Sequence, residues 1–176
     1  MRRVVIALAL CLALGGSWTP PATAQSGATD ATTTVILVRH AERAPGEGDV
    51  PLSASGRERA RALAQVLRDV DIGAIITSQM LRAKDTAEPL AQQKRITPDV
   101  LPANELDAVV EQVRGLRGRT ILVVHHSNTV PAIVEKLGGT STPIRDDEFD
   151  RLVIVTMPAH GGPSVVTLRY GASSAK

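Results

Sequence analysis

A chain of 176 residues has room for one domain with a substantial core. Its 20 basic and 18 acidic side chains nearly balance, which excludes a general nucleic-acid or membrane-surface binder. One Cys and one each of Trp, Tyr and Phe exclude a disulfide framework, a cysteine metal site and a base-stacking platform.

The first elements read as targeting rather than fold. Arg2 and Arg3 precede an apolar run, Val4 to Leu14, and Ala22-Thr23-Ala24 offers a small-x-small cleavage site before Gln25. This predicts a signal peptide over residues 1–24, because the run is about half the roughly 20 residues a bilayer span needs. The competing reading is an N-terminal membrane anchor. Cleavage after Ala24 would remove Cys11 and predicts a periplasmic or secreted protein with no stable membrane association. Residues 25–33, small and polar, are expected to form a flexible tail, and residues 34–172 the domain.

Within the domain, Thr34 to Val38 reads as a buried strand running into Arg39-His40. Arg43 to Leu52, with Pro45, Gly46 and Gly48, is a loop. Ser55 and Glu58 have the spacing of a capping box, and Ala60, Leu63, Ala64 and Leu67 give an amphipathic helix over 56–69. Its arginines, Arg57, Arg59, Arg61 and Arg68, read as a solvated face. Ile72 to Thr77 is a second strand, and Ser78 can cap a helix from Met80 to about Gln93, with a kink or break expected at Pro89.

Ile96 to Leu101 reads as a short strand, followed by a helix capped by Asn104 with Leu106, Val109, Val110, Val113 and Leu116 on one face. Thr120 to Val124 is another continuous apolar strand, ending in His125-His126-Ser127-Asn128, and Thr129 to Leu137 a helix stopped by Gly138-Gly139. Pro143 to Asp150 is an acidic loop. Leu152 to Met157 and Val165 to Tyr170 suggest an edge hairpin. Strands alternating with helices predict an α/β fold, a largely parallel central sheet covered by helices on both faces. Ligands in such sheets gather beyond the carboxyl ends of the strands, where Arg39-His40 and His125-His126 both fall.

Three stretches carry chemistry: Leu37-Val38-Arg39-His40-Ala41-Glu42, the segment from Ser78 to Ala87 containing Arg82-Ala83 and Thr86, and Val123-Val124-His125-His126-Ser127-Asn128-Thr129. Their order and spacing resemble the histidine phosphatase superfamily, phosphoglycerate mutase-like, of the small branch-1 phosphatase type. The resemblance covers nearly all of residues 34–170. It implies a three-layer α/β/α sandwich, His40 as the nucleophile that takes a phosphoryl group, and Arg39, Arg82 and His126 around the phosphate oxygens. The chemistry agrees: a neutral imidazole is a competent nucleophile, and guanidiniums bind phosphoryl oxygens in bidentate fashion.

The residue before the second histidine, usually glycine in the family, is His125 here, which is expected as a neighbour at the rim. For the proton donor, Glu105 is the closest match and Asp107 the next; Asp146-Asp147-Glu148 is a further source of carboxylate. Glu105 read structurally is simply an acid in the first turn of a helix. Glu42 and Arg43 read equally as a surface salt bridge or as substrate contacts, and His160 as exposed. A metal site from His40, His125 and His126 is disfavoured by the lack of ligand spacing and by the two arginines.

The expected activity is an exported, metal-independent, cofactor-free phosphatase for a small phosphorylated molecule, a phosphomonoester or phosphohistidine. A phosphoglycerate-type mutase and a non-catalytic phospho-ligand binding module are the rivals. The acidic loop at 143–150 is expected to disfavour strongly anionic substrates.

Overall fold

The computed structural model describes residues 31–174. The expected signal peptide and most of the expected tail lie outside the described residues. Six strands and four helices alternate: β1 (Thr33–Arg39), α1 (Ala54–Val66), β2 (Ile72–Ser78), α2 (Leu81–Lys94), β3 (Asp99–Leu101), α3 (Leu106–Gly115), β4 (Thr120–His125), α4 (Thr129–Lys136), β5 (Arg151–Met157) and β6 (Ser164–Arg169).

The strands form one sheet in the order β3-β2-β4-β1-β5-β6. The first four are mutually parallel, and β5 and β6 close one side as an antiparallel hairpin. The central strands are apolar on both faces because both faces are covered. Val109, Val113, Val130 and Ile133 from α3 and α4 pack over Val35, Leu37, Ile76, Ile121 and Val123. Leu63, Ala87 and Leu90 from α1 and α2 pack over Ile36, Val38, Ile75, Leu122 and Val124 on the other face. The result is the expected α/β/α sandwich.

In β1 and β4, Arg39 lies opposite His125 in register. The pairing continues one step past the strand, where the His40 N–H donates to the His125 carbonyl at 2.8 Å. The two histidine-bearing strand ends are therefore adjacent rungs of one ladder.

Several local expectations are corrected. α1 is capped by Ser53, whose Oγ accepts from the Gly56 N–H at 3.0 Å, rather than by Ser55. Glu58 instead pairs with Arg61. The chain bends back here so tightly that a Cβ on Gly56 would lie 2.1 Å from the Glu42 carbonyl oxygen, and only glycine fits. Ser78 is the last residue of β2 and fully buried; α2 starts after Met80 without a side-chain cap and runs through Pro89 unbroken. Glu105, not Asn104, is the N-cap of α3, also without a side-chain bond.

Candidate active site

A cavity of about 440 Å³ opens at the carboxyl ends of β1, β2 and β4. Its walls include Arg39, His40, Arg43, Arg82, His126 and Asn128. Three guanidiniums, two imidazoles and the start of α4 thus converge where the sequence places them, and no carboxylate is among its lining residues.

His40 is buried, and its two ring nitrogens are told apart by their partners. Nδ1 lies 2.8 Å from the Ala41 carbonyl oxygen, which can only accept. Nε2 lies 3.2 Å from Nε of Arg82, which can only donate. The neutral ring therefore carries its proton on Nδ1 and a lone pair on Nε2, facing Arg82. Burial, together with the charges of Arg39, Arg82 and Arg43, lowers its pKa to about 4, against a smaller opposing contribution from the Ala41 carbonyl. At neutral pH the ring is an uncharged nucleophile.

His126 stands edge-on to His40, with ring centroids 5.2 Å apart. Its Nε2 meets Ser78 Oγ at 2.9 Å, and burial, then its neighbours His40, His125, Arg82 and Arg39, lowers its pKa to about 3. Thr86 joins the first two motifs. Its hydroxyl accepts from the Ala41 N–H at 2.9 Å and donates to the Arg82 carbonyl at 2.7 Å.

Arg39 is held differently. One terminal nitrogen donates to the backbone carbonyls of Arg145, Asp146 and Glu148 at 2.9, 2.9 and 3.1 Å. The Phe149 ring lies against the guanidinium, 4.0 Å from its carbon. Nε of Arg39 is buried and has no partner. Burial lowers the Arg39 pKa, with Asp146 and Glu148 opposing.

Other expectations are corrected here. His125 is not at the rim: it is fully buried, with Nδ1 2.5 Å from Thr129 Oγ1 and Nε2 without a partner. Its place in β4 two residues after Val123 carries this signal, since alternation puts it on the face of Val123, under α3 and α4. Glu105 is exposed at the start of α3 and does not line the cavity, although Ala103 does. Asp107 is exposed and bonded to Lys136 at 2.6 Å.

None of the acids of the 143–150 loop lines the cavity. Asp147 pairs with Arg145, and Glu148, with its side chain 6% exposed, pairs with Arg151 at 2.7 Å and Arg169 at 2.6 Å. Burial opposes ionisation of Glu148, but these partners together with the Arg145 N–H hold its pKa below the usual range. Glu42 pairs with Arg59 at 2.8 Å rather than with Arg43, whose guanidinium donates to Gly46 O at 2.8 Å. Arg59 is not on a solvated face; it is 4% exposed.

Sequence reasoning passed over Asp49. Its Oδ1 accepts from the Leu81 N–H at 2.8 Å and lies 3.8 Å from a terminal nitrogen of Arg82, which ties the 43–52 loop to the start of α2. Among the described residues, no group of three or more His, Cys, Asp or Glu side chains is arranged to hold a metal ion, and no helix is long and apolar enough to cross a membrane.

Residues 35–105 match the histidine phosphatase superfamily (branch 1). Among curated proteins, the chain is 30% identical over 105 residues to the "Probable phosphoglycerate mutase GpmB" of Salmonella choleraesuis (strain SC-B67), covering 49% of each. The chain thus spans about half the length of the curated relatives it matches. The fold is similar to that of the protein histidine phosphatase SixA complexed with tungstate: TM-score 0.66, 23% identity, 77% of this chain and 96% of that one. It is also similar in fold to phosphoserine phosphatase from Entamoeba histolytica in complex with 3-phosphoglyceric acid: TM-score 0.58, 15% identity, 80% of this chain and 98% of that one.

Proposed function

We propose that this protein, whose residues 35–105 match the histidine phosphatase superfamily (branch 1), is a metal-independent phosphatase working through a phosphohistidine on His40. The observation that carries the reading is the lone pair on His40 Nε2, fixed by the Ala41 carbonyl behind it and facing two guanidiniums and a second imidazole.

In the first step Nε2 attacks phosphorus and the bond to the leaving group breaks. The leaving group departs with its electron pair and takes a proton from solvent. Arg82 gives up its contact with Nε2 to the phosphoryl oxygens, which Arg39 and His126 also bind. In the second step water attacks phosphorus, the P–N bond breaks with its electrons returning to Nε2, and dihydrogen phosphate leaves with both protons of the water.

Since no carboxylic acid lines the cavity, the reading favours leaving groups that need little protonation. Phenolates and the imidazole of phosphohistidine suit it better than alkoxides. The tungstate bound by a neighbour of the same fold is an oxyanion of the kind this pocket suits. Residues 1–24 support export, to the periplasm or the medium.

The test is a brief incubation with a 32P-labelled aryl phosphate in EDTA, followed by alkaline quench. Wild type should trap acid-labile label and His40→Ala none, with turnover falling by at least about a thousandfold. Label on another residue, or turnover that needs added metal, would sink the mechanism. The same experiment with phosphoglycerate separates the mutase reading, in which the label returns to an organic acceptor instead of to phosphate. Protein from an extracytoplasmic fraction should begin at Gln25; an intact Met1 there would refute cleavage.

A further inference from the structure

Among the described residues Arg39 makes no ion pair, although Asp146, Glu148 and Glu42 act on it through their charge, and it is buried and must be held still. The segment from Arg145 to Asp150 does this. It passes its carbonyls of Arg145, Asp146 and Glu148 to one terminal nitrogen of the guanidinium and lays the Phe149 ring against its face at 4.0 Å. The segment is itself tied down. Glu148 binds Arg151 and Arg169, and the N–H groups of Phe149 and Asp150 donate to Ser174 Oγ at 2.8 and 3.0 Å.

We propose that Phe149 is a positioning residue for the phosphate pocket: its ring fixes the plane of the Arg39 guanidinium, which lines the cavity, for the incoming oxyanion. The physical reason lies in how the charge is compensated. Carbonyl dipoles and an aromatic face hold a guanidinium without neutralising it, whereas a carboxylate would quench the field the site needs. The ring also stands 6.4 Å from that of His40, tilted by 55°. It therefore walls the nucleophile and orients the arginine with one side chain. Phe149 is the only phenylalanine of the chain, so no neighbouring ring can substitute.

This inference rests on Arg39 as a phosphate ligand but not on turnover, so it is tested by binding. Affinity for tungstate and for inorganic phosphate is measured calorimetrically for wild type, Phe149→Leu and Phe149→Trp. The same Phe149→Leu change is also made in an Arg39→Lys background. Loss of the face contact should weaken oxyanion binding about tenfold. Phe149→Trp should restore it to within a few-fold. In the Arg39→Lys background Phe149→Leu should add little, because the two side chains act as one unit.

Wild-type affinity in Phe149→Leu, or the same loss in both backgrounds, would overturn the proposal. Should Phe149→Leu not fold, progressively fluorinated phenylalanines at 149 weaken the ring's face with little change of shape. Affinity should then fall stepwise with fluorination, and a flat series would overturn the proposal. Intact oxyanion binding with no phosphohistidine would sink the phosphatase reading and leave this inference standing.

Discussion

Two buried arginines are treated in opposite ways. Arg59 faces Glu42 through bonds of 2.8 to 3.1 Å and gives its remaining terminal nitrogen to the carbonyls of Tyr170 and Ala172. Its charge is matched and its donors are spent, so it joins the loop after His40, helix α1 and the chain beyond β6. Arg39 has carbonyls and a ring where Arg59 has a carboxylate, and it keeps Nε unspent. Each of the two aromatic residues described, Phe149 and Tyr170, sits beside one of these arginines, with Tyr170 at the longer 5.8 Å. Arg59 is saturated by an ion pair; Arg39 is immobilised without one, with only the longer-range charges of Asp146, Glu148 and Glu42 acting on it.

The comparison breaks most visibly if the wrong arginine controls activity. Arg39→Lys should lower kcat/KM on an aryl phosphate about a hundredfold, since an ammonium cannot reproduce the fork, with a small change in melting temperature. Arg59→Ala leaves Glu42 half-buried without its partner. It should cost about 3 kcal/mol, or roughly 10 °C, while the folded protein keeps most of its turnover. Scanning calorimetry and steady-state kinetics on both variants decide it, and a reversed pattern refutes the division.

Acidification sharpens the contrast. His40 and His125 titrate near 4 and His126 near 3, each held down chiefly by burial. The unfolded chain takes up these protons near the ordinary histidine value of about 6.5. Below that pH it therefore binds more protons than the folded state. Stability is fully present above about 6.5 and is lost as pH falls toward 4, on the order of a few kcal/mol in sum. Denaturant titration from pH 7 to 4 measures this; a flat profile would contradict the burial of the three rings.

For activity, kcat/KM corrected for substrate ionisation should hold down to about pH 5. The charge of Arg39 helps depress His40, whereas that of Arg59 is matched by Glu42. Arg39→Met should therefore move the acid limb upward, and Arg59→Met should leave it in place.

The smallest expected effects concern two neighbours in β2. Ser78 Oγ bonds His126 Nε2, while Thr77 Oγ1 is buried without a partner. Ser78→Ala should cost a few-fold in kcat/KM, consistent with about 1 kcal/mol for one hydrogen bond. Thr77→Val, which removes a hydroxyl that bonds to nothing, should be neutral or stabilising in thermal melts.

The candidate site was legible because it is local to strand ends. Continuous apolar runs marked β1, β2 and β4, and the polar residues ending two of them, Arg39-His40 and His125-His126, had nowhere to go but the crevice. What could not be read was which side chains meet across the fold. Ser78 looked like a helix cap because its bond to His126 depends on β2 and β4 being neighbours. Arg59 looked solvated because Glu42 and the chain after β6 reach it only in three dimensions. Glu148 looked like part of an acidic loop because its partners Arg151 and Arg169 come from the hairpin beyond it. Glu105 fell just outside the cavity, since a helix start places its backbone reliably but not the direction of an unbonded side chain.

The rung shared by Arg39 and His125 has an evolutionary corollary. The separation of the two imidazole-bearing segments is set by the spacing of adjacent strands, about 4.8 Å, and not by the length of chain between them. The stretch from Arg43 to Leu52 is pinched at its base by a single bridge between those two residues. Chain grafted inside that pinch would alter what borders the cavity while His40 and His126 keep their places. The same sheet geometry that fixes the two imidazoles thus leaves the cavity's border free to drift, and gives an engineer one splice point at which to reshape it.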